Sequence, residues 1–266
     1  MTRTLVEQKF AAAASGYATS EVHARGESLA RLVGLVAPQT RWRALDIATG
    51  AGHVAMALAP CVAHVVAADL TEEMLGQARA LAAERGILNV EAIRARAEAL
   101  PFPDASFDLV TCRIAAHHFD DVTQFVCEVA RVLRPGGTFG LVDNVGPDAD
   151  LVPDASEDEI AAADAAYTGF EKLRDPSHVR ALTLAEWQRL IESAGLAITH
   201  VERLSKVIDL ASWARRMLAD EAAVAALSRC LDGASPALAS FLRPLRAVSG
   251  PTFTLHEGLI VARKRT

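Results

Sequence analysis

The segment best equipped for chemistry is a strand-like run that closes on an acid and two glycines, Leu45-Asp46-Ile47-Ala48-Thr49-Gly50-Ala51-Gly52-His53-Val54-Ala55. Glycines between a strand and a helix let a ligand approach the backbone closely. Gly50-Ala51-Gly52-His53-Val54-Ala55 has G-x-G-x-x-A spacing, and Asp69 follows about 20 residues later, where an acid accepts hydrogen bonds from ribose hydroxyls. That spacing alone also fits a nicotinamide dinucleotide. Asp46 shifts the balance, because a negative charge beside the turn opposes a pyrophosphate and favours a cationic nucleoside without phosphates. Each acid also has a local reading, Asp46 accepting bonds within its own turn and Asp69 capping a helix or sitting in a solvated loop. Their joint placement around Gly50-Ala51-Gly52 favours a ligand.

A second polar group lies at Thr111-Cys112-Arg113-Ile114-Ala115-Ala116-His117-His118-Phe119, the end of a strand, where open α/β sheets bind ligands. His117 is the first candidate for a catalytic and substrate-binding role, since its ring titrates near neutral pH, with Arg113 nearby and His118 second. A purely structural hydrogen-bonding role competes with this. Adjacent residues of an extended chain point to opposite sides, so one of the two rings faces the substrate. The pair lacks the i, i+4 spacing of a helical metal site and no cysteine cluster joins it, so no metal is expected; His53 is expected to pack at a helix start. Farther on, Leu173-Arg174-Asp175-Pro176-Ser177-His178-Val179-Arg180 places Arg174 and His178 to bind an acidic or phenolic acceptor. The competing reading is a capping turn in which Asp175 pairs with Arg174 and Ser177 starts a helix.

Alternating strand and helix patterns position these groups. Strands are expected at Arg43–Ile47, His64–Asp69, Val90–Ala95, Phe107–Cys112 and Thr138–Asp143, apolar enough to be covered on both faces. Helices are expected at Gly52–Ala59, at Thr71–Arg85 with Thr71 as N-cap and Gly86 as stop, and at Asp121–Leu133 before the turn Arg134-Pro135-Gly136-Gly137. Val6–Tyr17 and Gly26–Val36 read as helices ahead of the sheet. Gly146 to Arg180 lacks a clean period and reads as an insertion or lid. A capped helix at Thr183–Ala194, a strand near Ala197–Leu204, helices around Ser212–Leu245 and a strand near Phe253–Ala262 follow. The run Ile47–Ala68 has no Asp, Glu, Lys or Arg, but Gly50, Gly52, Pro60 and two histidines interrupt it, so it is not a membrane span.

The chain has 266 residues, 51% hydrophobic and 23% charged, with a mean hydropathy of +0.20, as expected of one globular domain. A net charge of −6 disfavours nucleic-acid and anionic-membrane partners, and the basic run Arg263-Lys264-Arg265 reads as a solvated tail. Cys61, Cys112, Cys127 and Cys230 are scattered among apolar neighbours, as reduced core thiols are, and no signal peptide is visible, so a cytoplasmic location is expected.

Four motifs in order, the glycine segment, Val65-Val66-Ala67-Ala68-Asp69-Leu70-Thr71-Glu72-Glu73-Met74-Leu75, Ala97-Glu98-Ala99-Leu100-Pro101-Phe102-Pro103-Asp104-Ala105-Ser106-Phe107-Asp108-Leu109-Val110 and Glu128-Val129-Ala130-Arg131-Val132-Leu133-Arg134-Pro135-Gly136-Gly137, resemble the class I S-adenosylmethionine-dependent methyltransferases of the ubiquinone and menaquinone biosynthesis type. They cover roughly Arg43 to Asp143. The resemblance implies a Rossmann-like three-layer α/β/α sandwich whose mostly parallel seven-stranded sheet has an antiparallel last strand, with an N-terminal helical lid (1–40), a cofactor-binding core (41–145) and an acceptor-side C-terminal insertion and strands (146–266). It implies that Asp46, Gly50, Gly52 and the Ala48 carbonyl surround the methionine part of S-adenosyl-L-methionine, that Asp69 holds the ribose hydroxyls, that Leu70 packs on the adenine and Ala97 meets its edge. Met74, Glu98 and Arg113 join this expected cofactor shell, with Tyr17 and His23 as lid residues. Arg96 departs from the pattern, since this position usually carries an aspartate or another small polar residue and Arg cannot accept a hydrogen bond from the adenine amino group.

The expected activity is methyl transfer to carbon or oxygen of a small organic molecule, by a monomer or homodimer. The alternatives are an NAD-dependent oxidoreductase and a methyltransferase-fold protein without methyl transfer.

Overall fold

The computed structural model describes residues 4–18, 26–217, 219–247 and 250–266, with the side chains of all of these but 15–18. Five strands pair in parallel, β1 (Arg43–Ile47), β2 (His64–Asp69), β3 (Val90–Arg94), β4 (Phe107–Arg113) and β5 (Leu133–Asn144). β8 (Gly250–Lys264) inserts antiparallel between β5 and β6 (Leu196–Asp209), giving the order β3-β2-β1-β4-β5-β8-β6. That path is the expected seven-stranded sheet with its last strand antiparallel. A short β7 (Leu245–Ala247), which the sequence reading did not separate from the helices around it, pairs with β8 alone.

Helices cover both faces, which is why the strands read as unbroken apolar runs. On one face α2 (Glu27–Val36), α3 (His53–Leu58) and α4 (Glu72–Glu84) bury Leu32, Val36, Val54, Leu58 and Ala82 against Val65 and Leu109. On the other, α5 (Val122–Val132) and α7 (Leu184–Ser193) bury Phe125, Val129, Trp187 and Ile191 against Val66, Val110 and Leu141. α7 starts at the expected capping box, Thr183 with Glu186. Thr71 does precede α4, but its side chain makes no capping bond to the helix. α1 (Leu5–Ala18) lies across α4 and β3, where Arg94 donates to Glu7 (2.6 Å).

Four features depart from the sequence reading. Gly146 to Arg180 contains an eighteen-residue helix, α6 (Glu157–Arg174). Its buried stripe is narrow, Ala163, Tyr167, Phe170 and Glu171, and alanines and acids around it blur the period, although Ser156 and Glu159 form a capping box. α6 packs with α8 (Leu210–Arg215), α9 (Glu221–Asp232) and α10 (Pro236–Leu242) on the far halves of β6 and β8, burying Trp213, Phe241 and Phe253 in a core of their own. β5 begins at Leu133, and Arg134–Gly137 forms an irregularity in its ladder with β4. Lys264 donates to the Leu133 carbonyl (2.8 Å) from the end of β8, so the terminal basic run is partly strand and not a free tail. Cys112 alone of the cysteines is buried; Cys127 is exposed on α5, contrary to the core-thiol expectation. No helix among the described residues is long and apolar enough to cross a membrane.

The close seating of α2 on the sheet depends on Gly140 of β5, where a Cβ lies 2.6 Å from Val36 and 2.8 Å from Leu32. Gly140→Val is expected to cost about 1–3 kcal/mol by overpacking, read as a lower urea midpoint. Gly76→Ala is the matched control: it lies inside α4 with no atom within 4 Å of an added Cβ and should gain roughly 0.5–1 kcal/mol of helix stability. Equal midpoints for both variants would contradict this packing.

Candidate active site

The strand order reverses between β1 and β4, and the crevice outside such a switch point is where open α/β sheets bind ligands. Both strands end there in left-handed backbone at non-glycine residues, Ala48 (φ 51°) after β1 and Ile114 (φ 54°) after β4, which costs about 1–2 kcal/mol each and re-aims the chain around the opening. Asp46 sits in register with Thr111 of the neighbouring strand. Its two oxygens accept from Thr111 Oγ1 (2.8 Å) and from Thr49 Oγ1 (2.6 Å), three residues on in the turn. It is 1% exposed. Burial pushes its pKa up to about 6 although both hydroxyls and the field of Arg113 pull the other way. Arg113 itself donates to Ser28 Oγ on α2 (3.3 and 3.2 Å); burial lowers its pKa against the fields of Glu257 and Asp46.

Asp69, at the end of β2, braces the glycine turn. One oxygen accepts from Gly50 N (2.9 Å) and the other from Thr71 N (2.9 Å), so the local role of this acid is real, and each oxygen retains a further lone pair for a ligand. Burial raises its pKa while these bonds oppose the shift. Gly50 (φ +55°) faces open space. Gly52 does not line the opening, contrary to expectation: at φ +87° an added Cβ lies 3.0 Å from Ala78 of α4, so this glycine serves the turn and the helix packing.

A cavity of about 400 Å³ opens at these residues, within the range of small-molecule sites. Asp46, Ala48, Gly50, Asp69, Leu70 and Met74 line it, and so do Ala97, Glu98 and Arg113. His53, at the start of α3 as expected, also reaches it. Arg96 lies on its rim, paired with Asp120 (3.3 Å) and Glu98 (3.7 Å). Thr4, Leu5, Val6 and Phe10 of the N-terminal segment line it; the resemblance implied a lid from this segment but named other residues for it, because an apolar helix face announces burial and not its partner. Tyr17 and His23 lie outside the residues whose side chains are described.

The histidines are arranged differently from expectation. Ala116–His118 is a 3₁₀ turn, not extended chain, so the His117 and His118 rings stay together, 4.3 Å between centroids. His117 does not line the cavity: its ring turns inward and its Nδ1 lies 2.6 Å from Asp143 Oδ1. Burial lowers its pKa, but the Asp143 charge and hydrogen bond outweigh this and raise it. His118 is the ring on the cavity wall. Its Nδ1 donates to the Ser177 carbonyl (3.1 Å) and its Nε2 is 3.8 Å from Asp175 Oδ2, yet burial and the adjacent His117 push its pKa down to about 3. The premise of a ring titrating near neutrality therefore fails for His118, the ring that lines the cavity. His178 lines the cavity as expected. Arg174 does not: its Nε donates to the Trp213 carbonyl (3.1 Å) and its guanidinium lies 4.4 Å over the Trp213 ring. The alternative capping turn is not formed either, since Asp175 accepts from the backbone and hydroxyl of Ser177 (3.0 and 2.6 Å) and no helix starts there. Asp143, Ser177 and Lys172 were missed; for Asp143 the signal was present, an acid ending a buried strand just as Asp46 does. Among the described residues no group of three His, Cys, Asp or Glu suits a metal.

Known proteins share this architecture. Residues 45–141 match a family described as a methyltransferase domain. An uncharacterized methyltransferase of Bacillus subtilis, YcgJ, is 40% identical over 210 residues, 79% of each chain, and its crystal structure superposes with a TM-score of 0.81, covering 90% of this chain and 98% of that one. A putative methyltransferase from Bacillus halodurans superposes with a TM-score of 0.82 at 37% identity, covering 91% of this chain and all of the other. The ubiquinone/menaquinone biosynthesis C-methyltransferase UbiE of Brucella anthropi is 37% identical over 114 residues, 41% of this chain and 43% of that one.

Asp46 has a measurable energetic signature. Its carboxyl titrates near ~3.9 in an unfolded chain and at about 6 in the fold, so its contribution is full below the unfolded pKa and is lost as pH rises through the folded one. Asp46→Asn is expected to stabilise the unliganded protein at pH 7.5 by up to ~3 kcal/mol, with no gain near pH 4. Thermal denaturation of both proteins at both pH values checks this; a gain independent of pH would show that charge burial is not its source.

Proposed function

The chain belongs to the class I S-adenosylmethionine-dependent methyltransferases, and from that premise we propose that it methylates carbon or oxygen of a small organic acceptor lodged against His118 and His178. The observation that carries this reading is one cavity, reaching from two carboxylates around a glycine turn at one end to two uncharged imidazoles at the other.

The residues at the turn suit S-adenosylmethionine. Among the described residues buried Asp46 has no cationic partner in direct contact, and a ligand bearing an ammonium and a sulfonium supplies positive charge there. Gly50 leaves backbone open to a ligand. Asp69 has lone pairs for ribose hydroxyls, Leu70 and Met74 offer apolar surface to a nucleobase, and Ala97 lies at its edge. Arg113, anchored by Ser28, suits a carboxylate. A pyrophosphate beside Asp46 meets like charge instead, which disfavours NAD. S-adenosylmethionine, when bound, would supply an activated methyl group to the acceptor atom, its sulfur leaving as a neutral thioether and the acceptor's proton passing to solvent.

The chain's own contribution is alignment and exclusion of water. His118 and His178 orient the acceptor as neutral hydrogen-bonding groups; His117 is a positioning residue, locked on Asp143, that packs against His118. The N-terminal segment with Phe10 closes the cavity, its ring 5.0 Å from His118 edge to face. A net charge of −6 supports a small acceptor over a nucleic acid.

Calorimetry with S-adenosylhomocysteine tests the donor site. The wild type is expected to bind it and not NAD, and Asp69→Ala to weaken binding about a hundredfold, the ~3 kcal/mol of two charge-assisted hydrogen bonds, while keeping the far-ultraviolet dichroism of the native fold. Unchanged affinity would refute the assignment of Asp69 to the ribose. With radiolabelled donor and an accepted substrate, His118→Ala should lower kcat/KM about tenfold, the worth of one hydrogen bond, and the pH profile should lack a limb near the free-histidine value.

A further inference from the structure

The acceptor end of the cavity carries two features that binding of the methyl donor leaves unused. His178 is 2% exposed, lines the cavity, and its Nε2 has no hydrogen-bond partner among the described residues. An unpaired buried nitrogen is costly, and a turn of the ring that brings it to a ligand hydroxyl in the cavity removes that cost. Burial, with the neighbouring His117 and His118, lowers the His178 pKa to about 2. The ring is therefore uncharged and selects a neutral hydroxyl over an anion.

The second feature is Lys172, in the last turn of α6, which lines the same cavity and has no ion pair among the described residues. The other cations of the wall are engaged, Arg96 with Asp120 and Glu98 and Arg113 with Ser28. Lys172 lies near enough to His178 for its charge to act on that ring. Phe10, Pro176 and Val179 add apolar surface beside these two residues, suited to the faces of an aromatic ring.

We propose that the acceptor is a hydroxyarene carboxylate, with its ring against the apolar wall, its hydroxyl hydrogen-bonded at His178 Nε2 and its carboxylate held by Lys172. This rests on the methyl-transfer reading above, and the test separates the two. Protein saturated with S-adenosylhomocysteine is titrated calorimetrically with 4-hydroxybenzoate and 6-hydroxy-2-naphthoate, with the methyl ester of each, and with benzoate and 2-naphthoate. At least one hydroxy acid is expected to bind, at least tenfold more tightly than its ester and severalfold more tightly than its counterpart lacking the hydroxyl. Lys172→Ala, on an exposed stretch of helix, should abolish the preference for acid over ester and leave S-adenosylhomocysteine affinity unchanged, and Lys172→Glu should reverse it. His178→Asn should abolish the preference for the hydroxyl. If neither hydroxy acid binds, if the esters bind as well as the acids, or if Lys172→Ala keeps the preference, the acceptor assignment is wrong. If S-adenosylhomocysteine itself fails to bind, the donor reading beneath it falls instead.

Discussion

A carboxylate held out of water at the tip of the first strand is the constraint around which the site is organised. Ionising Asp46 in that position is unfavourable, and the fold offsets only part of the cost, with one hydroxyl from the adjacent strand and one from its own turn. Two hydroxyls supply dipoles but no charge. On the proposed function the deficit serves binding, because a cationic ligand lowers the energy of the ionised acid more than it could lower that of a solvated one: the same burial that penalises the lone charge strengthens its attraction to a partner. The alternative, a permanent salt bridge to a lysine, gives a more stable empty protein and a weaker site.

Holding a ligand against that acid demands unusual backbone. Ala48, Gly50, Gly52 and Ile114 all take positive φ within the two loops that flank the switch point. Only two of these are glycines, so the turn is not merely permissive; the surrounding bonds impose it. Asp69 does much of this, tying Gly50 to the end of β2 through one oxygen and the start of α4 through the other. One side chain thereby fixes the turn and faces the cavity, and the local and the ligand-directed readings of this acid are parts of a single arrangement.

The strands β1 and β2 were legible to the residue because both faces of the sheet are covered and the apolar run starts and stops with the strand. Helix α6 was not, because its burial is carried by a few large residues among alanines and acids, a pattern with little periodicity. The same contrast runs through the site. Asp46, Gly50 and Asp69 lie within one stretch of chain, and their gathering at one cavity could be read from spacing. Gly52 could not be separated from Gly50 by spacing, since what distinguishes them is Ala78, far away in sequence. The histidines failed for a related reason: period-two alternation assumes a strand, and the 3₁₀ turn that keeps both rings together follows from the left-handed Ile114 and from a partner segment sixty residues downstream.

That partner segment explains how the histidine side of the cavity is built. The backbone of Val179 donates to the His117 carbonyl (2.8 Å), and His118 donates to the Ser177 carbonyl (3.1 Å), so the stretch after α6 is stitched to the turn after β4 by bonds independent of most side chains. His117 anchors the same turn to β5 through Asp143. Sheet, turn and the stretch after α6 thus form one continuous hydrogen-bonded unit, while Lys172 at the end of α6 and Pro176 and Val179 beyond it present side chains that those bonds do not require. On the proposed function this framework fixes the distance from the donor site to the acceptor, and acceptor choice is left to residues that can vary without disturbing it. Such a division suits a fold in which the transferred group is constant and only its destination differs.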